Sequence, residues 1–181
     1  YTTASATYSV TDSAANIAAN VAHASVTGAT SVTLTTAATV AQAAALAELS
    51  NLSGGYSITD SATNVQAALD TANAASAGDM ALVAGATSVS LNTNATVAEA
   101  AGVIGTKSDG LYNLSGVSYG ITDTVTNMIS ALSGIDAAAI TGAASLNASD
   151  TTAMTVANAT TLTSLTNWVG HDHDADASAA A

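Results

Sequence analysis

The sequence has no proline, cysteine or phenylalanine, a single tryptophan, and one basic residue, Lys107, against thirteen acids. Without cysteine there are no disulfides, thiolate nucleophiles or Cys-ligated zinc sites, so stability is built without covalent staples. A nucleic-acid binder needs Lys and Arg to displace phosphate counterions, and a chain with a formal net charge of -12 excludes that function. The same shortage removes the cationic clamps for phosphorylated substrates, and no G-x-x-x-x-G-K-[ST] loop is present. Ser13 to Ala47 carries no charged residue, yet Thr, Ser, Asn and Gln interrupt it, so no run of about 20 apolar residues exists. Membrane insertion is therefore not expected. The chain begins at Tyr1, with neither an initiating Met nor a signal-like segment, and reads as a processed mature chain or a piece of a larger one.

What is abundant is small. Ala (45), Thr (28) and Ser (21) fill 94 of 181 positions, and charged residues make up only 8%, against roughly 25% in ordinary domains. Such a bias can mark a disordered chain, but 49% hydrophobic residues and a mean hydropathy of +0.38 argue for a core. At 17.4 kDa that core belongs to one globular unit or one repeat array.

The repeat is visible directly. Tyr8-Ser-Val-Thr-Asp-Ser-Ala-Ala-Asn16, Tyr56-Ser-Ile-Thr-Asp-Ser-Ala-Thr-Asn64 and Tyr119-Gly-Ile-Thr-Asp-Thr-Val-Thr-Asn127 share the pattern Y-[SG]-[VI]-T-D-[ST]-x-x-N. A Gly-Ala motif follows each, with Gly28, Gly85 and Gly142 spaced 57 residues apart. A third motif closes the unit: Ala38-Thr-Val-Ala-Gln-Ala-Ala, Ala95-Thr-Val-Ala-Glu-Ala-Ala and the looser Met154-Thr-Val-Ala-Asn-Ala-Thr. Repeats are accordingly placed at 8–55, 56–118 and 119–169, between an extended segment at 1–7, suited to being donated to a neighbour, and an acidic His/Asp/Ala tail at 170–181.

Each motif has a local consequence. Tyr-x-Ile-Thr suits a strand, and Asp12, Asp60 and Asp123 are expected to cap the helix that follows. Ser-Val-Thr-Leu alternates as strands do, and Thr39 and Thr96 should open a second helix. Strand, helix, strand, helix implies parallel strands joined by right-handed crossovers. The expected fold is α/β, a solenoid-like stack of short parallel strands and Ala-rich helices in about six βα steps, with a closed three-layer α/β domain as the competing architecture. The segment from Gly102 to Gly116, carrying Lys107 and Asp109, reads as an irregular insertion.

On the Y-x-I-T-D-[ST]-x-x-N and T-G-A-T-S-V-T-L motifs, residues 8 to about 169 resemble the Ala/Thr/Ser-rich repeats of large secreted bacterial surface proteins, as found in adhesins, S-layer-like coats and extracellular fibres. The resemblance implies an exported bacterial product with a structural or adhesive role. The G-G-x-G-x-D-x-U-x calcium nonapeptide of neighbouring secreted repeats is not in the chain, so the resemblance brings no calcium site with it.

Candidate chemistry is sparse. The pairs Asp12/Asn16, Asp60/Asn64 and Asp123/Asn127 have i,i+4 spacing, which places both side chains on one helix face. Stacked, they would form a cation-holding ladder; as single pairs, Asp caps a helix and Asn satisfies loop backbone. His171, Asp172, His173 and Asp174 are the densest metal-competent cluster, a weak candidate for Ca or another divalent cation against the simpler reading of a solvated tail. His23 is read inside an Ala-rich helix and is expected to be structural, and Glu48 and Glu99 look like related solvated helix positions. No G-x-S-x-G elbow occurs, and the chain is not expected to be an enzyme. Five Asn-x-[ST] triplets, at Asn51, Asn94, Asn113, Asn147 and Asn158, are glycosylation acceptors by pattern. Tyr8, Tyr56 and Tyr119 either form an exposed row for glycans or pack between coils.

The expected function is a secreted, self-assembling structural subunit of a bacterial filament, sheath or surface layer, extracellular or on the cell surface, needing no cofactor. Its partners would be copies of itself in a head-to-tail homopolymer. The alternative is a monomeric adhesin module that binds glycans or cell surfaces, and an ice- or mineral-binding Thr array ranks behind both because its Thr-x-Thr triplets are out of register.

Overall fold

The computed structural model describes residues 7–69, 76–104, 117–150 and 153–171. From the amino terminus the elements are β1 (Ser9–Asp12), α1 (Ala14–Ala19), α2 (Ala24–Thr27), β2 (Ser31–Leu34) and α3 (Val40–Ala47). Then come β3 (Ile58–Asp60), α4 (Ala62–Leu69), α5 (Ser76–Gly85), β4 (Val89–Leu91) and α6 (Val97–Ile104). The last are β5 (Gly120–Asp123), α7 (Val125–Leu132), α8 (Ala137–Gly142), β6 (Ser145–Ala148), α9 (Val156–Thr163) and β7 (Trp168–His171). The order strand, helix, helix, strand, helix thus recurs three times, and β7 opens a fourth round. The second helix of each round (α2, α5, α8) is absent from the strand-helix-strand-helix expectation. Two of the three are only four and six residues long, α2 and α8, against ten in α5, and in α2 His23 supplies a cap that hydrophobic periodicity does not register.

The chain divides into two compact units, Tyr1–Asp60 with Ala68–Val89, and Ser61–Ala67 with Ser90–Ala181. In the first, β1 and β2 pair in parallel from Ser9↔Ser31 to Asp12↔Leu34. Parallel bridges continue the pattern at Val32↔Leu52 and Ala38↔Ile58. Its core is fully buried Ala14, Val32, Ala38 and Leu46 with Ile17 and Val26. Five of the seven buried residues in that cluster are alanine or valine, small side chains that let the helices lie close to the strands they cross over.

In the second unit β5, β6 and β7 form a three-stranded parallel sheet, in register from Gly120↔Ser145 to Asp123↔Ala148, with an irregularity between Leu146 and Asn147 where β7 joins. Bridges at Ser90↔Ser118 and Ala95↔Ile121 repeat the geometry of the first unit. Ile121, Met128, Ile140, Leu146 and Leu162 are fully buried and anchor the core. The fold is therefore mixed α/β, with short parallel strands in open sheets of two or three and no closed barrel among the described residues.

Two clasps explain motif residues. Tyr8, Tyr56 and Tyr119 donate their hydroxyls to the carbonyls of Ala24, Leu82 and Ala139, at 3.3, 2.7 and 2.9 Å. Each hydroxyl sits over the glycine three or four residues further on, where a Cβ at Gly28, Gly85 or Gly142 would stand 3.2, 3.5 or 3.1 Å away. A Cβ would crowd the hydroxyl at Gly142 and, at Gly28, would also stand 2.8 Å from the Ala24 carbonyl oxygen, whereas at Gly85 the distance is ordinary contact. The second clasp is an asparagine at the start of a round: Asn51 donates to the carbonyls of Val26 and Ala29, and Asn167 to those of Ile140 and Ala143, all at 2.8–2.9 Å. Each bridges a last-turn carbonyl of a short helix and the loop carbonyl just past its end, where helix termini leave acceptors without intrahelical partners.

Candidate functional site

The conserved-looking polar residues gather where strands hand over to helices. Here the helix cap falls one residue later than the sequence predicts. Ser13, Ser61 and Thr124 are the groups whose hydroxyls accept the N–H of the third helical residue, from Asn16, Asn64 and Asn127 at 3.2, 3.1 and 3.2 Å. Asp12 and Asp123 precede the cap and brace it from outside. Oδ1 of Asp12 accepts the Ser13 N–H at 2.6 Å and the Asn16 amide at 2.9 Å. Oδ1 of Asp123 does the same for Thr124 at 2.7 Å and Asn127 at 2.7 Å. The difference is one of position: Ser13 stands directly before the first helical residue with extended backbone, so its hydroxyl reaches the third N–H, whereas Asp12, one residue earlier at the end of β1, bonds its neighbour and the i+4 amide. These hydrogen bonds, Asn16 first and then the Ser13 backbone, hold the Asp12 carboxyl below the usual carboxylate range.

The second carboxylate oxygen does something the sequence did not disclose. Oδ2 of Asp60 accepts the Val40 N–H at 3.0 Å, and Oδ2 of Asp123 accepts the Val97 N–H at 2.9 Å. Each receives the first helical N–H of the helix that precedes its strand. The same position is filled for α1 by Thr36 Oγ1 on Ala14 N–H at 3.0 Å, and for α4 by Thr93 Oγ1 on Ala62 N–H at 3.0 Å. Asp150 Oδ1 serves α7 at Val125 N–H, 3.1 Å away. Five helices therefore take one cap from within and one from the next turn of chain, 20 to 31 residues on. Asp60 and Asp123 are 7% and 8% exposed, so these carboxylates are buried among backbone donors, a setting for anchoring backbone more than for presenting charge to a ligand.

The remaining candidates resolve one by one. His23 is not within a helix but caps α2, its Nδ1 accepting the Ser25 N–H at 3.2 Å. Glu48 and Glu99 are not equivalent: Glu48 ends α3, while Glu99 is the third residue of α6 and bonds the Thr96 N–H at 2.8 Å. That backbone bond lowers the Glu99 pKa. The counterpart of Glu99 is Gln42, which closes a capping box with Thr39. The T-x-x-[QE] spacing that signals this box was present in the sequence and unused. Of the tail cluster, His171 ends β7, and Asp172, His173 and Asp174 lie outside the described residues, as do Lys107, Asp109 and Asn113. Among the described residues no group of three or more His, Asp or Glu gathers to hold a metal. Tyr56 and Tyr119 are buried at 9% and 4% exposure, which raises both hydroxyl pKa values, and Tyr8 is 40% exposed, so the three do not form one open row.

One open groove of about 380 Å³ lies in the second unit, lined in part by Asp123, Asn127, Ser130, Ile135 and Asp136. Comparison with protein-family models, curated proteins and solved structures finds no match. No helix among the described residues is long and apolar enough to cross a membrane. The polar chemistry on view is thus cap chemistry: carboxylates, hydroxyls and amides aimed at backbone N–H and C=O groups of neighbouring turns.

Proposed function

We propose that this chain is a secreted, self-assembling structural subunit of a bacterial extracellular filament, sheath or surface layer, built as a solenoid-like stack of βα turns. The observation that carries the reading is the recurrent cap from one turn of chain to the helix before it, at Ala14, Val40, Ala62, Val97 and Val125. A device repeated at that frequency makes each turn the template for the next, which is the nearest-neighbour logic of repeat arrays. The fine-grained composition agrees: small residues pack closely, and one Lys with no Arg leaves a single site for trypsin-like proteases. Copies of the chain are the natural partners, added head to tail.

Electron microscopy beside light scattering of the purified chain at neutral pH tests this. Regular filaments or sheets are the expected result, and a dispersed monomer at high concentration would overturn it. The adhesin reading draws on one different observation, the groove beside Asp123, Asn127 and Asp136 with Ile135 81% exposed, a mixed polar and apolar lining suited to a sugar ring. A glycan array on the monomeric chain tests that reading, and loss of signal in Asn127→Ala is its expected signature.

A further inference from the structure

Among the described residues, the second and third Tyr-x-[VI]-T-D strands each complete the helix that precedes them. For α3, Ala38 N–H donates to the Ser57 carbonyl at 2.8 Å, Thr59 N–H donates to the Ala38 carbonyl at 2.8 Å, and Asp60 Oδ2 takes Val40 N–H. For α6 the same set recurs, Ala95 to Gly120 at 2.8 Å, Thr122 to Ala95 at 2.9 Å, and Asp123 to Val97. The alanine and valine so covered are 0–8% exposed.

The third copy of this helix motif is uncovered. In Met154-Thr155-Val156 at the start of α9, Val156 is 84% exposed and Met154 only half-buried, against 8% for Val40 and 0% for Ala38. No acceptor stands at the Val156 N–H among the described residues. Asn167 begins the next round as Asn51 does, but no described strand of the Tyr-x-[VI]-T-D type follows it.

The first strand motif has the converse gap. Val10 in β1 is half-buried where Ile58 and Ile121 are 1% and 0% exposed, and Tyr8 is 40% exposed where its counterparts are buried. Oδ1 of Asp12 braces its own helix, and among the described residues no helix N–H stands at its Oδ2, the oxygen that Asp60 and Asp123 give to a preceding helix. An uncovered helix start and an unused covering strand carry matching chemistry, a backbone donor and a carboxylate, in one chain.

We propose that Tyr8–Asp12 of a second copy of this chain docks on Met154–Val156 of the first. Met154 N–H donates to the Ser9 carbonyl of the second copy, Thr11 N–H of that copy donates to the Met154 carbonyl, and its Asp12 Oδ2 accepts the Val156 N–H. This rests on the self-assembly reading above and assigns its contact. Because the pairing continues a parallel ladder in the register used twice inside the chain, the joint needs no new geometry.

The chain contains no cysteine, so a crosslink can be placed cleanly. Full chains carrying Val10→Cys and Met154→Cys, mixed under mild oxidation, are expected to give a disulfide-linked dimer, and neither variant alone is expected to do so. Filaments without that crosslink overturn this contact and leave the assembly reading standing; neither filaments nor crosslink overturns both. Val156→Pro is the second arm. Proline is favoured at the first helical position, and Thr155 already has the extended backbone (φ -68°, ψ 154°) that proline wants before it. The variant should melt as the parent does while associating about fivefold or more weakly, the factor that follows from losing one cap. Unchanged association overturns the proposal.

Discussion

Asp123 and Asp12 hold the same place in the repeat yet differ in what their loss exposes. Asp123→Ala leaves the buried Val97 N–H without an acceptor and removes the brace on Thr124, so a loss of about 2 kcal/mol is expected in urea unfolding. Asp12→Ala, at a half-buried site that braces its own helix, should cost measurably less, and equal losses would contradict the cap that Asp123 gives to α6. Glu99 supplies a pH test. Its folded pKa is lowered chiefly by the Thr96 N–H, so its contribution is present above the unfolded value near 4 and is lost as pH falls below it. Glu99→Gln reproduces the box that Gln42 makes with Thr39, and it should leave stability at pH 7 within about 0.5 kcal/mol while flattening the acid limb of the stability curve.

At the scale of elements, the tyrosine clasp ties the start of each strand motif to the second helix of its round, and five helices carry two caps each. Tyr119→Phe keeps the ring and removes the bond to the Ala139 carbonyl, leaving that acceptor buried. A loss of about 1 kcal/mol in thermal unfolding is expected, and Tyr8→Phe, whose bond is longer and whose ring is 40% exposed, should lose less. Gly120→Ala tests how closely the turns approach, since its Cβ would lie 2.6 Å from Asn94 Oδ1 and 2.7 Å from Ser145 Oγ. Both neighbours are side chains, so they can move, but Asn94 would have to release its 2.8 Å bond to Thr122 Oγ1. Near-UV circular dichroism and melting should both register that change.

For the whole molecule, charge is expected to govern the association proposed above. Each copy brings a formal charge of -12, so bringing copies together at low salt opposes assembly at long range. Raising ionic strength from about 0.01 to 0.15 M shortens the screening length from about 30 to 8 Å and should accelerate the rise in light scattering. A slower rise would mean that charged groups attract across the contact, contrary to the single carboxylate-to-backbone cap proposed for it.

The sequence by itself determined the repeat, the strand character of Tyr-x-Ile-Thr and the parallel α/β class, because these rest on local propensity and on the rule that a helical crossover returns a strand in parallel. It located Asp12, Asp60 and Asp123 at the junctions but put the cap one residue early, since Asp, Ser and Thr are all good caps and only backbone geometry selects among them. It could not show that Thr36, Thr93 and Asp150 share a task with Asp60 and Asp123. Those residues differ in type and stand 20 to 31 positions from the N–H groups they serve, and only the tertiary register of the turns brings them there.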